Sequence, residues 1–293
     1  MKTTIYQVDA FTTEKFAGNP AGIILDARGL TDERMQAIAR ELNNTESAFL
    51  FPPEGPDHDL VVRFFTPTTE IPMCGHNTIA LHFARAAEGL AKPGRQRQKT
   101  KAGIIPVDIV AQGNSFRVVM THNEPVFDEP LKEASDLLSA LGIAASDLAA
   151  GAPVQVVSTG NRKLMLGLKS RAVLNALKPD LAALKKLAET YRCTGYYVFT
   201  LESDEPRILA HGRMFAPQLG IDEDPVTGMA IGPFAAYLLE NQLTTRPEFM
   251  VRQGEAMGRP GVAHVRVPLT GGKPGRVEVG GEAVIVFRAE LEF

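Results

Sequence analysis

Short runs of clustered or alternating apolar residues recur along the first half of the chain. They are TTIYQVDA (3–10), AGIIL (21–25), SAFLF (47–51), LVVRFF (60–65), IIPVDIV (104–110) and FRVVM (116–120). Bounded by Gly, Pro and Asn turns, such runs predict strands. Few helical patterns interrupt them, so the regular strand-helix alternation of a doubly wound parallel sheet is absent and an antiparallel-rich α+β fold is expected. One helix is predicted from Asp32 to Asn43, with Met35, Ile38, Ala39 and Leu42 on one face. Thr31 stands ready as its N-cap, and Asn43 and Asn44 can end it. A second helical pattern, from Asn77 to Leu90, carries Ile79, Leu81, His82, Phe83, Ala86, Ala87 and Leu90 on almost every side. That is the pattern of a buried helix, and strands wrapped around one central helix account for it.

The same arrangement occurs twice. Arg63-Phe64-Phe65-Thr66-Pro67 is echoed 150 positions later by Arg213-Met214-Phe215-Ala216-Pro217, an offset that also sets Cys74 against Asp224. Each segment then runs into a buried helical pattern, Asn77 to Leu90 in the first copy and about Thr227 to Leu239 (TGMAIGPFAAYLL) in the second. A weaker echo pairs Gly18-Asn19-Pro20 with Gly160-Asn161-Arg162. Two pseudo-equivalent halves are therefore expected, and 293 residues are enough for each to bury its own core.

Composition narrows the partners. With 44% hydrophobic and 22% charged residues the chain is of ordinary globular type, and a net charge of -3 offers no basic surplus for a nucleic-acid backbone or an anionic membrane. The opening MKTTIYQVDAF lacks the apolar core of a signal peptide, and no long apolar run follows, so a cytoplasmic protein is expected. The two cysteines, Cys74 and Cys193, fit a reducing compartment. Cys193, just before YYVFTL, reads as a half-buried thiol at a strand start.

Candidate chemistry gathers at the repeated junctions. Cys74-Gly75-His76-Asn77-Thr78 and Asp224-Pro225-Val226-Thr227-Gly228 each put small residues at a helix start, where unpaired backbone N–H groups attract carboxylates or phosphates. Thr78 and Thr227 can instead be plain helix caps. His76 can serve as general acid or base, as a donor to substrate, or as a satisfied histidine beside the core; the positive helix end favours its neutral form. His82 reads as structural. Asp224 sits in an acidic run that can simply complement the helix dipole, but the repeat sets it opposite Cys74. Glu46, between the first helix and an apolar strand, is either an exposed turn residue or, if partly buried, a carboxyl with a pKa raised toward that of a general base. Phosphate-loop, dinucleotide, zinc-protease and nucleophile-elbow patterns are all missing. Cys74 and His76 alone make too short a ligand pair, with no third group evident, so no metal is expected.

Glu46, Cys74-Gly75-His76 and Glu223-Asp224-Pro225-Val226-Thr227-Gly228, together with Phe16-Ala17-Gly18-Asn19-Pro20-Ala21-Gly22, resemble the phenazine biosynthesis PhzF-like family along the whole chain. The resemblance implies a diaminopimelate epimerase-like fold of two similar halves, each a curved, mostly antiparallel sheet around a central helix. The halves would comprise residues 1–119, completed by a C-terminal strand 283–293, and residues 120–282, with the active site in the cleft between them. It also implies a homodimer and no metal or organic cofactor. In the family's founding activity, trans-2,3-dihydro-3-hydroxyanthranilate is isomerised to its ketone form by moving a proton between ring carbons. Carried over, Glu46 is the base that returns the proton as an acid, and His76 and Asp224 orient the substrate and assist proton delivery. Gly75 and Gly228 shape the anion-accepting helix mouths, with Cys74, Asn77, Thr227 and Met229 lining the site of a small carboxylate-bearing, cyclic amino-acid-like substrate. Met229 departs from the pattern, standing where the phenazine enzyme has a serine, which separates this chain's substrate from the phenazine pathway.

Two other classes fit some of these features. A two-base amino-acid epimerase or racemase would need matched groups on both faces of a carbon, whereas here a thiol is set against a carboxylate. A noncatalytic small-anion binder would keep the cleft and lose the chemistry, for which Met229 is the only positive sign.

Overall fold

The computed structural model describes residues 2–292. It divides into two compact units, one holding the chain through Thr121 together with the segment from Gly280 onward, the other His122–Val279.

In the first unit, strand Lys2–Ala10 pairs antiparallel with both Asn19–Ile24 and Ala283–Glu292. Asn19–Ile24 runs parallel to Ser47–Phe51, which turns back antiparallel onto Leu60–Phe65. Leu60–Phe65 lies parallel to Gly94–Thr100, and Gly103–Gln112 and Ser115–Thr121 continue as an antiparallel meander. Helix α1 (Asp32–Leu42) begins where extended Thr31 accepts the N–H of Arg34 at 3.3 Å, and ends where Asn43 takes a left-handed conformation with φ 50°. Its Met35, Ile38 and Ala39 pack with Ile5, Ile24, Phe49 and Phe65.

Helix α2 (Gly75–Ala87) is the central helix of this unit. Every residue from Gly75 to Ala84, and Ala86, is buried. It packs against Lys2–Ala10, Asn19–Ile24, Ser115–Thr121 and Ala283–Glu292, so sheet encloses it on several sides, as its all-round apolar pattern requires. It does not reach Leu90: Gly89 takes φ +72°, which ends the helix at Ala87 and leaves Leu90 62% exposed.

The second unit repeats the scheme with additions. Gln155–Ser158 pairs antiparallel with Arg162–Leu168, which runs parallel to Tyr196–Thr200. Tyr196–Thr200 pairs antiparallel with Ile208–Ala216, which lies parallel to Glu248–Gln253, itself paired antiparallel with Gly261–Arg266. Three helices, α3 (Ser135–Leu141), α4 (Arg171–Ala176) and α5 (Leu181–Thr190), cover one face; Leu137, Leu141, Leu174 and Leu184 join Leu164, Leu166, Val198 and Phe215 in one core. The central helix is α6 (Gly228–Glu240), whose Phe234 ring lies 4.9 Å from Tyr197 and 4.7 Å from Phe199.

The repeated Arg-x-Phe has a physical cause. Arg63 donates two hydrogen bonds to Glu70, both at 2.8 Å, and lies 5.3 Å over the Phe65 ring. Arg213 does the same with Glu223, at 2.9 and 2.7 Å, and lies 5.0 Å over Phe215. In each unit a forked guanidinium ties the strand to the short antiparallel strand that follows it, Glu70–Ile71 or Ile221–Asp224, while its flat face covers an aromatic ring.

Candidate active site

Glu46 follows the Asn43 cap and immediately precedes strand Ser47–Phe51, and it is buried. Cys74, in extended conformation, is the N-cap residue of α2 but makes no side-chain cap. His76 joins the two: its Nδ1 lies 3.4 Å from Cys74 Sγ and its Nε2 lies 3.5 Å from Glu46 Oε2. Burial pushes His76 down to about 3, so at neutral pH a neutral imidazole faces the Glu46 carboxyl and the contact is not an ion pair. Asn77 is fully buried in the first turn of α2, and among the described residues neither atom of its amide has a hydrogen-bond partner. A buried amide left so costs roughly 1–3 kcal/mol, which a polar ligand at the helix mouth would recover. The N–H groups of this first turn have no intrahelical acceptor and no side-chain cap.

A buried chain of hydrogen bonds fixes this mouth. Arg85 Nη1 donates to His82 Nδ1 at 3.3 Å, so the His82 proton sits on Nε2 and is given to Gln98 Oε1 at 2.9 Å. The Gln98 amide donates to Thr78 Oγ1 at 3.2 Å, and the Thr78 hydroxyl donates to the carbonyl of Cys74 at 2.8 Å. Within the chain His82, Gln98 and Thr78 each donate once and accept once, which sets the tautomer of His82 and the rotamer of Thr78 together. Burial, aided by the Arg85 charge, lowers His82 to about 3, consistent with the neutral ring the chain requires.

At the equivalent junction of the second unit the acidic run separates into three roles. Asp222 is exposed, Glu223 takes the Arg213 fork, and Asp224 is buried at the end of strand Ile221–Asp224. Thr227 is the N-cap residue of α6, but its hydroxyl donates to Asp224 Oδ2 at 2.5 Å and does not cap the helix. Thr78 likewise bonds back to Cys74, so neither threonine acts as a side-chain cap. Gln253 Nε2 donates to the Asp224 carbonyl at 2.8 Å and to Thr227 Oγ1 at 3.1 Å, while its Oε1 accepts the Thr227 N–H at 3.3 Å. Gly228, buried, and Met229, half-buried, form the first turn of α6. Lys163 is buried nearby, its ammonium donating to Thr194 O at 2.9 Å and Thr194 Oγ1 at 3.1 Å. Burial lowers it to about 8, against the opposing pull of Cys193 and Asp224.

The first unit thus brings Glu46, Cys74, Gly75, His76 and Asn77 together, and the second brings Asp224, Thr227, Gly228 and Met229 together. Gln98, Gln253 and Lys163 escaped the motif reading because they lie on strands far from either junction. One signal existed: Arg97-Gln98 recurs as Arg252-Gln253, each on the strand that runs parallel to an Arg-x-Phe strand.

The family model "Phenazine biosynthesis-like protein" matches residues 8–289. The chain belongs to this family. An uncharacterised isomerase of Clostridium acetobutylicum is 48% identical over 99% of this chain and 98% of its own length. The trans-2,3-dihydro-3-hydroxyanthranilate isomerase of Pseudomonas aeruginosa is 33% identical, covering 94% of each chain. A crystal structure of the Bacillus anthracis PhzF-family phenazine biosynthesis protein superposes with a TM-score of 0.91 at 30% identity over the full length of both chains. A probable proline racemase of Agrobacterium radiobacter, at 12% identity and a TM-score of 0.65, shares the fold alone. This phenazine biosynthesis-like protein is therefore an isomerase with the expected epimerase-like α+β fold. Among the described residues no helix is long and apolar enough to cross a membrane.

Proposed function

We propose that the protein is a cofactor-independent isomerase that moves a proton between two carbons of a small, carboxylate-bearing cyclic substrate resembling trans-2,3-dihydro-3-hydroxyanthranilate. The Glu46 carboxylate takes a proton from one carbon. The electron pair left behind delocalises into the adjacent double bond, and the Glu46 carboxylic acid returns a proton to a second carbon, so charge and atoms balance without an oxidant or a metal. Neutral His76 donates a hydrogen bond as charge develops, Asn77 and the first-turn N–H groups of α2 receive the substrate's anionic group, and Asp224 orients its amine. Cys74 and Gly75 shape the mouth of α2, and Thr227, Gly228 and Met229 that of α6. The observation that carries this proposal is the buried Glu46 carboxyl 3.5 Å from an imidazole that burial keeps neutral. Met229, half-buried where a serine is expected, favours a less polar ring substituent than the phenazine precursor carries.

Incubation with trans-2,3-dihydro-3-hydroxyanthranilate and with cyclic amino acids in heavy water separates the alternatives. Deuterium at a new carbon with a shifted double bond supports the isomerase. Deuterium at the α-carbon with inverted configuration and no shift means an epimerase, and binding without any exchange means a binder.

A further inference from the structure

Read along the sequence, Cys74 and His76 are a ligand pair with no third member. The fold supplies one. Glu46, twenty-eight positions before Cys74, is carried to the mouth of α2 by the turn that follows α1, and one donor atom from each of Glu46, Cys74 and His76 lies within 4.8 Å of the others. All three side chains are buried, so the donors are held by packing. Sulfur, imidazole nitrogen and carboxylate oxygen are the ligands Zn2+ prefers, at about 2.3 Å, 2.0–2.1 Å and 2.0–2.2 Å, and contraction of the cluster by about an ångström at each donor reaches those lengths. Three protein ligands would leave a fourth position open. A hard cation such as Mg2+, which takes six oxygens and keeps its waters, has no comparable use for a thiol.

We infer that the Glu46–Cys74–His76 cluster is a binding site for a soft divalent cation, Zn2+ or Cd2+, and that the bound cation switches the isomerase off by ligating the Glu46 carboxylate. On binding, the Cys74 S–H bond breaks, a metal–sulfur bond forms, and the proton passes to solvent; no redox partner is involved. The inhibitory half of this inference rests on the proposed role of Glu46, whereas the binding half does not.

Titration of the reduced, full-length protein with Cd2+, followed by ultraviolet absorbance, reads the site directly through the thiolate-to-metal charge-transfer band. A band saturating at one equivalent is expected; it is retained in Cys193→Ser, lost in Cys74→Ser, and needs at least about tenfold more Cd2+ in Glu46→Gln and His76→Ala. Zn2+ should displace Cd2+, and Mg2+ should not. Thermal midpoints of the variants show that they are folded. No band in the wild type, or a band that survives Cys74→Ser, overturns the site. The regulatory half is read separately: Zn2+ at the occupancy set by the titration should stop isotope exchange and a chelator should restore it, and exchange that continues with Zn2+ bound overturns inhibition. Should no substrate be found, the absorbance titration still decides whether the cation site exists.

Discussion

A single side chain decides how each helix mouth is held. Gln98 is buried and spends its amide on His82 and Thr78, so Gln98→Leu strands two buried polar partners while keeping most of the volume. It should lower unfolding stability by roughly 2–4 kcal/mol, measured by denaturant titration; a loss of a few tenths would mean the network carries no weight. Asp224→Asn preserves shape but removes the carboxylate that accepts from Thr227. Turnover should fall about 10²- to 10⁴-fold with little change in thermal midpoint, a split that distinguishes a role toward substrate from a structural one. The proposed site residues were legible because they sit in short motifs at junctions, His76 and Asp224 beside helix starts and Glu46 between the end of α1 and strand Ser47–Phe51. The sequence carried the glutamines poorly, because a buried glutamine has no local pattern; their partners lie 16 to 29 positions away.

Elements were legible where local chemistry ends them. Thr31 and Asn43 bracket α1 as read from the sequence, and Thr31→Ala should cost about 1 kcal/mol of stability, since the Arg34 N–H loses its acceptor. An unchanged midpoint in the same denaturant titration would show that water replaces the cap. The ends of α2 were less legible. Its start lies at Gly75 because extended Cys74 opens it without a side-chain cap, and its stop at Ala87 depends on Gly89 turning left-handed, which an apolar run does not reveal. The parallel pairings Asn19–Ile24 with Ser47–Phe51 and Leu60–Phe65 with Gly94–Thr100 also leave no trace in alternation, which reports burial but not partner.

At the scale of the molecule, the duplicated Arg-x-Phe, helix mouth and Arg-Gln strand explain why one enclosed helix occurs in each unit. Enclosure has a cost in acid. Burial holds His76 and His82 down to about 3 and His122 down to about 4, against an ordinary 6.5, so between those values the unfolded chain binds protons that the native protein refuses. Stability is therefore full above pH 6.5 and declines as pH falls toward 4, by up to about 1.4 kcal/mol per pH unit for each histidine. Thermal midpoints between pH 7 and 4 should drop accordingly, and the triple replacement of these histidines should flatten that slope. In the proposed reaction Glu46 moves the proton. Mass-spectrometric measurement of deuterium uptake from heavy water into substrate, by wild type and by a folded Glu46→Gln, reads this step. Uptake by the wild type and none by the variant is the expected result; equal uptake by both would mean that Glu46 is not the base.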